Sequence, residues 1–231
     1  TLTAKQVNVG LEGLGVYQQT GGTMVVDGDP SGGQLILGSA TGSSGTLNLS
    51  GGSLLVGDSV FVGSSGATAA LNVSGTGALT VDNTLIVHDN LTSKINLSGG
   101  TINTKALNLK GVPANLNWTA GTLNISTNVT WDSAAGVNST SSAFGASLAV
   151  GANQTFRVTG NETLGGSGAF GLTLNQGGTH QVTGTMTVAT NGTLTQNAGS
   201  TLAVSALVQS GGTINGTLQN QSTFVYQSGS F

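Results

Sequence analysis

Between Gly45 and Asp58 the chain reads GTLNLSGGSLLVGD, with apolar residues on alternate positions, a break at two glycines, and a resumption. Three short runs make up one such unit: Leu47 to Leu49, Ser53 to Val56 and Ser59 to Val62. They are separated by Ser50-Gly51-Gly52, Gly57-Asp58 and Gly63-Ser64-Ser65-Gly66. Alternation with period two, broken by Gly, Ser and Asp, predicts strands joined by tight turns. No helical spacing competes with it.

The unit recurs. Ser50 of LNLSGG, Ser74 of LNVSGTG and Ser98 of INLSGG are 24 residues apart, Thr119 of LNWTAG follows 21 later, and Thr20 of VYQQTGG precedes by 30. The third run recurs independently at Val7–Gly10, Leu35–Gly38, Val60–Gly63, Leu85–His88 and Leu107–Lys110. A period in the low twenties, with three strands and no room for a crossover helix, predicts an all-β parallel β-helix. In this β-solenoid each rung of about 21 to 25 residues carries about three short strands. About ten rungs are expected, stacked at about 4.8 Å.

The regular rungs are expected over residues 1–131. Residues 132–147, DSAAGVNSTSSAFGAS, break the alternation and read as an irregular loop or widened corner. From 148 to 231 the phrase returns in degenerate form, with Gly178, Gly199, Gly212 and Gly229 at steps of 21, 13 and 17. A narrower section of the same solenoid is expected there, one that can continue past the chain end.

Composition changes the picture in one respect. Only 6% of the 231 residues are charged and 39 are glycine, against about 25% and about 7% in ordinary globular chains. The surface is therefore built from Ser, Thr, Asn, Gln and Gly. The net charge is −3 and the five cations are scattered, so there is no basic stripe for nucleic acid. No apolar run approaches the roughly 18 residues of a membrane-spanning helix. With no cysteine, neither disulfides nor thiolate metal sites contribute. The opening TLTAKQVNVG lacks a charged head and apolar core, so a signal peptide is expected to be removed or absent. Strand-like residues at Thr1 and Phe231 suggest the ordered part of something longer, whose open rungs offer unpaired backbone groups for end-to-end stacking.

Four sets of residues carry candidate chemistry. Asn48, Asn72, Asn96 and Asn117 hold the same outward place between core residues and are expected to form an amide ladder; the same positions also match glycosylation sequons. Asp27, Asp58 and Asp82, with Asp29 nearby, gather at one corner. They read as turn formers, as a weak Ca²⁺ site or as a glycosidase pair. Ile36, Phe61 and Ile86 stand between inward valines and leucines, which leaves an apolar column on the outside. Cover by the Asp27 to Gly33 insertion, a lateral protein interface and a ligand stripe all remain open for it. His88, His180 and Arg157 look isolated, and no catalytic constellation or cofactor emerges.

The phrase GTLNLSGGSLLVGDSVFVGSSG, with its echoes LNVSGTGALTV and INLSGGTI, resembles the autotransporter-type and related exported β-helix repeats of bacterial cell surfaces. The resemblance covers roughly Val16 to Trp131. It implies a right-handed parallel β-helix, secreted or surface-anchored, that works in display, adhesion or assembly of an extracellular layer or fibre. The partner expected is the protein itself, with a glycan or host surface as a further possibility. The alternative function is a polysaccharide-binding or carbohydrate-active solenoid.

Overall fold

A computed structural model describes residues 1–28, 32–64, 66–88, 92–218 and 223–230; Asp29 and Phe231 lie outside them. The chain is an all-β parallel β-solenoid of about nine turns. It divides into two compact units, Thr1–Thr122 and Leu123–Phe231.

The first unit contains β1 (Leu2–Ala4), β2 (Gln6–Val9), β3 (Leu14–Val26), β4 (Gln34–Leu37), β5 (Ser44–Val56), β6 (Val60–Val62), β7 (Thr68–Val73), β8 (Ala78–Val87), β9 (Lys94–Asn108) and the start of β10 (Leu116–Ile125). All pairings with a known register are parallel, and they fall into three columns. The first half of β3 pairs with the first half of β5, then β7 and β9. β1 pairs with the second half of β3, followed by the later part of β5, the start of β8 and the middle of β9. β2, β4, β6 and the ends of β8 and β9 form the third.

Two of the three runs read from the sequence are therefore one strand. β5 continues from Ser44 to Val56 and bends at the glycines instead of stopping there. Gly52 takes φ of +77° at this bend, a conformation in which a Cβ would clash with its own carbonyl.

Parallel register stacks each inward residue on its equivalent. Leu47, Leu71 and Ile95 form one core column, Leu54, Leu79 and Ile102 a second, and Leu35, Val60, Leu85 and Leu107 a third; all are fully buried. Each such side chain contributes about 1.5–3 kcal/mol through removal from water. One corner uses a buried amide: Gln19 Nε2 donates to the Gly22 carbonyl of its own bend and to Ser53 O one rung on, at 3.2 and 3.0 Å. Gln209 of the second unit repeats the device toward Gly212 O and Ser230 O at 2.9 and 2.6 Å.

The second unit contains the end of β10, then β11 (Val129–Trp131), β12 (Ser147–Val150), β13 (Gln154–Val158), β14 (Glu162–Leu164), β15 (Phe170–Leu174), β16 (Thr179–Ala189), β17 (Gly192–Gln196), β18 (Thr201–Gly216) and β19 (Thr223–Ser230). It has three parallel columns as well. Thr155, Thr179 and Thr201 align in one, so its steps are 24 and 22. Glu162, Met186, Leu207 and Phe224 align in another, with steps of 24, 21 and 17. The rungs thus contract along the unit. The 13-residue step from Gly199 to Gly212 does not measure a rung, since Gly199 precedes β18 and Gly212 sits at a bend inside it.

Residues 132–147 form the widened corner. They lengthen the step from Val129 to Glu162 to 33 residues, contain a short 3-10 turn at Thr140–Ser142 and bury Phe144. The corner is held by Asp132. Its Oδ1 accepts from the Ala134 and Gly168 amides at 2.9 and 2.7 Å, and its Oδ2 from Ser167 N and Oγ at 3.0 and 2.8 Å.

Rung-to-rung approach leaves no room for a side chain at Gly45, where a Cβ would lie 2.2 Å from Val9 O and 2.3 Å from Gly38 N. Gly13, by contrast, has open space around its Cβ position. Gly45→Ala is expected to cost about 1–3 kcal/mol, because backbone on two rungs must shift. Gly13→Ala should stay within about 0.5 kcal/mol. Urea midpoints of the two variants check this.

Candidate functional site: the outer faces of the rungs

Asn48, Asn72, Asn96 and Asn117 form a continuous amide ladder on the first unit. Asn72 Nδ2 donates to Asn48 Oδ1 at 2.7 Å, Asn96 to Asn72 at 2.7 Å, and Asn117 to Asn96 at 3.2 Å. Leu47, Leu49, Leu71 and Val73 are buried on either side, so the alternation turns the amides outward. An amide carries both a donor and an acceptor, which lets identical side chains satisfy one another along a stack. The ladder fixes the register of this face and occupies the groups a ligand would otherwise contact. A shorter ladder joins Asn197 to Asn175 at 3.0 Å in the second unit.

The acidic corner is dispersed. Asp27 stacks on Gly57 of the next rung, so that a Cβ added there would lie 3.1 Å from Asp27 Oδ1. Asp58 carries the ordered carboxylate: Oδ2 accepts from Gln34 Nε2 at 3.0 Å, and Oδ1 from Asn83 Nδ2 at 2.7 Å and Ser59 Oγ at 3.1 Å. The Asn83 and Gln34 amides, and more weakly the Ser59 hydroxyl, hold the Asp58 carboxyl below its ordinary range against a small opposing effect of burial. Asp82 is exposed, next to Asn83 on β8. Asp58 is thus bound by neutral donors from three rungs. Among the described residues no group of three or more His, Asp or Glu side chains is placed to hold a metal ion.

Ile36, Phe61 and Ile86 lie directly above one another in the third column of strands. Each is half-buried, while the flanking Leu35, Leu37, Val60, Val62, Leu85 and Val87 face the core at 0% exposure. Asn8 pairs with Ile36 below and Asn108 with Ile86 above, so the apolar stripe is three rungs long and closed by an asparagine at each end. Ile36 and Phe61 share a shallow hollow of about 260 Å³ with Gln34, Ser39, Ser64 and His88.

One constellation could not be read from motif spacing. In the second unit, Glu162 Oε1 accepts from Trp131 Nε1 at 2.6 Å, and Glu162 Oε2 lies 2.6 Å from His180 Nε2. His180 Nδ1 lies 3.2 Å from the Phe156 carbonyl, and its ring stacks on Phe156 with centroids 5.0 Å apart. Phe144, Phe156 and Phe170 surround the Trp131 ring at 5.0–5.7 Å. All of these side chains are buried, Glu162 and His180 completely. The available signal was phase: Thr179-His180-Gln181-Val182 aligns with Thr155-Phe156-Arg157-Val158, which puts His180 at a core position. Glu162-Thr163-Leu164 aligns likewise with Met186-Thr187-Val188.

Compared with known proteins, the chain matches no protein-family model, no curated protein and no solved structure.

Two outcomes test these faces. Asn72→Ala removes one donated and one accepted amide bond and is expected to cost about 1–2 kcal/mol, whereas Asn117→Ala at the ladder's exposed end should cost under about 1 kcal/mol, both from urea unfolding. A carboxyl held below its unfolded value stabilises the fold above the ordinary carboxylate range, near pH 4, and loses that contribution as pH falls. Wild type should therefore lose more thermal stability than Asp58→Asn between pH 5 and pH 3.

Proposed function

We propose that the chain is an exported structural or adhesive solenoid of a bacterial cell surface, whose copies associate laterally through the Ile36/Phe61/Ile86 column. The observation that carries this reading is the column itself. It is a register-aligned apolar stripe on an outer face whose other positions are neutral and polar. A strand with apolar side chains on both faces is ordinarily covered on both, and the Asn8 and Asn108 boundaries give this one a defined length.

Supporting features come from the rest of the surface. Few charges leave little long-range repulsion between copies. The asparagine ladder stiffens an adjacent face. The resemblance of the LNLSGG-type repeat to exported bacterial β-helix repeats supplies the surface setting. Three side chains alone bury less than the roughly 1,000 Å² of a stable interface. Contact therefore extends onto the neighbouring polar residues, and strength comes from repetition when many copies are displayed together.

Phe61→Lys combined with Ile86→Lys places two cations in the column while their stems still cover the sheet. The double variant should keep the wild-type circular dichroism spectrum and lose association by at least tenfold in Kd, about 1.4 kcal/mol. Light scattering and negative-stain images over a concentration series read this directly. Association unchanged in the variant, or absent in the wild type at every concentration, overturns the proposal.

A further inference from the structure

The buried Glu162–His180 pair constrains its own proton count. The Phe156 carbonyl only accepts, so His180 Nδ1 must carry a hydrogen. Nε2 faces a carboxylate oxygen at 2.6 Å, a separation that requires a proton between the two atoms, whichever of them holds it. The other carboxylate oxygen already accepts from the Trp131 indole. The folded pair therefore holds two hydrogens, one on Nδ1 and one shared, and is neutral as a whole. Removing the shared proton leaves a bare carboxylate against a lone pair with no water to solvate either; adding another leaves a buried imidazolium facing a carboxylic acid.

No other ionisable group compensates. The ionisable side chains of residues 123–231 are Asp132, Arg157, Glu162, His180 and Tyr226. Asp132 is committed to the amides of the widened corner on β11's side. Arg157 is exposed, on the outer face of β13 that carries Phe156 inward; Tyr226 on β19 is 54% exposed. The elements packed on the pair otherwise present Trp131 from β11, Phe156 from β13, Met186 from β16 and Leu202 from β18.

We infer that Glu162 and His180 share one proton that clasps the aromatic core of the second unit, making this part of the solenoid a pH-sensitive lock. In an unfolded chain a glutamate is ionised above about pH 4.3 and a histidine neutral above about pH 6.5. Between those values the unfolded pair also holds two hydrogens, so the lock is fully engaged. Above about 6.5 the unfolded chain binds one proton fewer than the folded one, and the folding constant falls about tenfold per pH unit. Below about 4.3 it binds one more, and stability falls again. The lock is closed in mildly acidic surroundings and weakens in alkaline ones.

Glu162→Gln separates this reading from simple packing. A glutamine accepts from Trp131 through Oε1 and donates from Nε2 to a neutral His180, so both contacts survive without a shared proton. The chain has two tryptophans, so a Trp118→Phe background makes Trp131 fluorescence the reporter of this core during urea unfolding. Between pH 6.5 and 8.5 the clasped protein should lose up to about a hundredfold in folding constant relative to the Glu162→Gln protein. Parallel pH profiles for the two overturn the inference. Should the variant fail to fold, ¹⁵N-histidine NMR of the wild type at pH 7.5 decides the matter. Both His180 ring nitrogens hydrogen-bonded through protons supports the clasp, and an Nε2 with no proton between it and Glu162 removes it.

Discussion

Everything in this molecule depends on the parallel hydrogen bonding of one rung to the next. A parallel ladder in constant register places each residue against its equivalent one turn away, so a choice made at one position is repeated through the stack. Leu47 meets Leu71 and then Ile95; Asn48 meets Asn72 and then Asn96. The same register brings backbone so close to backbone that Gly45 admits no side chain. Glycine is thus required by the approach of rungs as much as by the turning of corners.

The register also explains how a nearly uncharged chain presents an ordered surface. Outward side chains stand about 4.8 Å from their counterparts, the spacing at which amides bond to one another and carboxylates reach neutral donors. The Asn48-to-Asn117 ladder, the Asp58 site and the Asp132 clip at the widened corner all use this spacing, and each ties adjacent turns together without an ion pair. The Ile36/Phe61/Ile86 column is the exception. It obeys the same stacking and satisfies no polar group, which is why it is the feature of the first unit that calls for a partner.

The second unit departs from the rule on its inside. An apolar interior would be simpler, and a buried charge pair is seldom the most stabilising option. Here the pair is embedded in a continuous set of contacts: the indole N–H of Trp131, one carbonyl and the face of Phe156. The large rings occur where the 33-residue step widens the rung, and an enlarged cross-section needs larger side chains to fill it to ordinary packing density.

Much of the architecture was legible in the sequence, because a solenoid writes its tertiary periodicity into its primary periodicity. Alternation set which residues face inward, the 24-residue recurrence set which of them stack, and those two facts alone located the asparagine ladder and the apolar column. The sequence did not show that the first two runs of a rung form one bent strand, since a glycine pair reads alike as a break or a bend. Nor did it show the fate of the acidic corner, where one residue of register decides whether Asp27 meets a carboxylate or Gly57. The Trp131–Glu162–His180 cluster lay furthest from view. Its members come from three strands in three different phases of the repeat, 31 and 18 residues apart, and they converge only across the interior. Contacts along the stack follow the period of the chain, whereas contacts across it depend on how widely each corner opens, and that is decided only when the rungs close on one another.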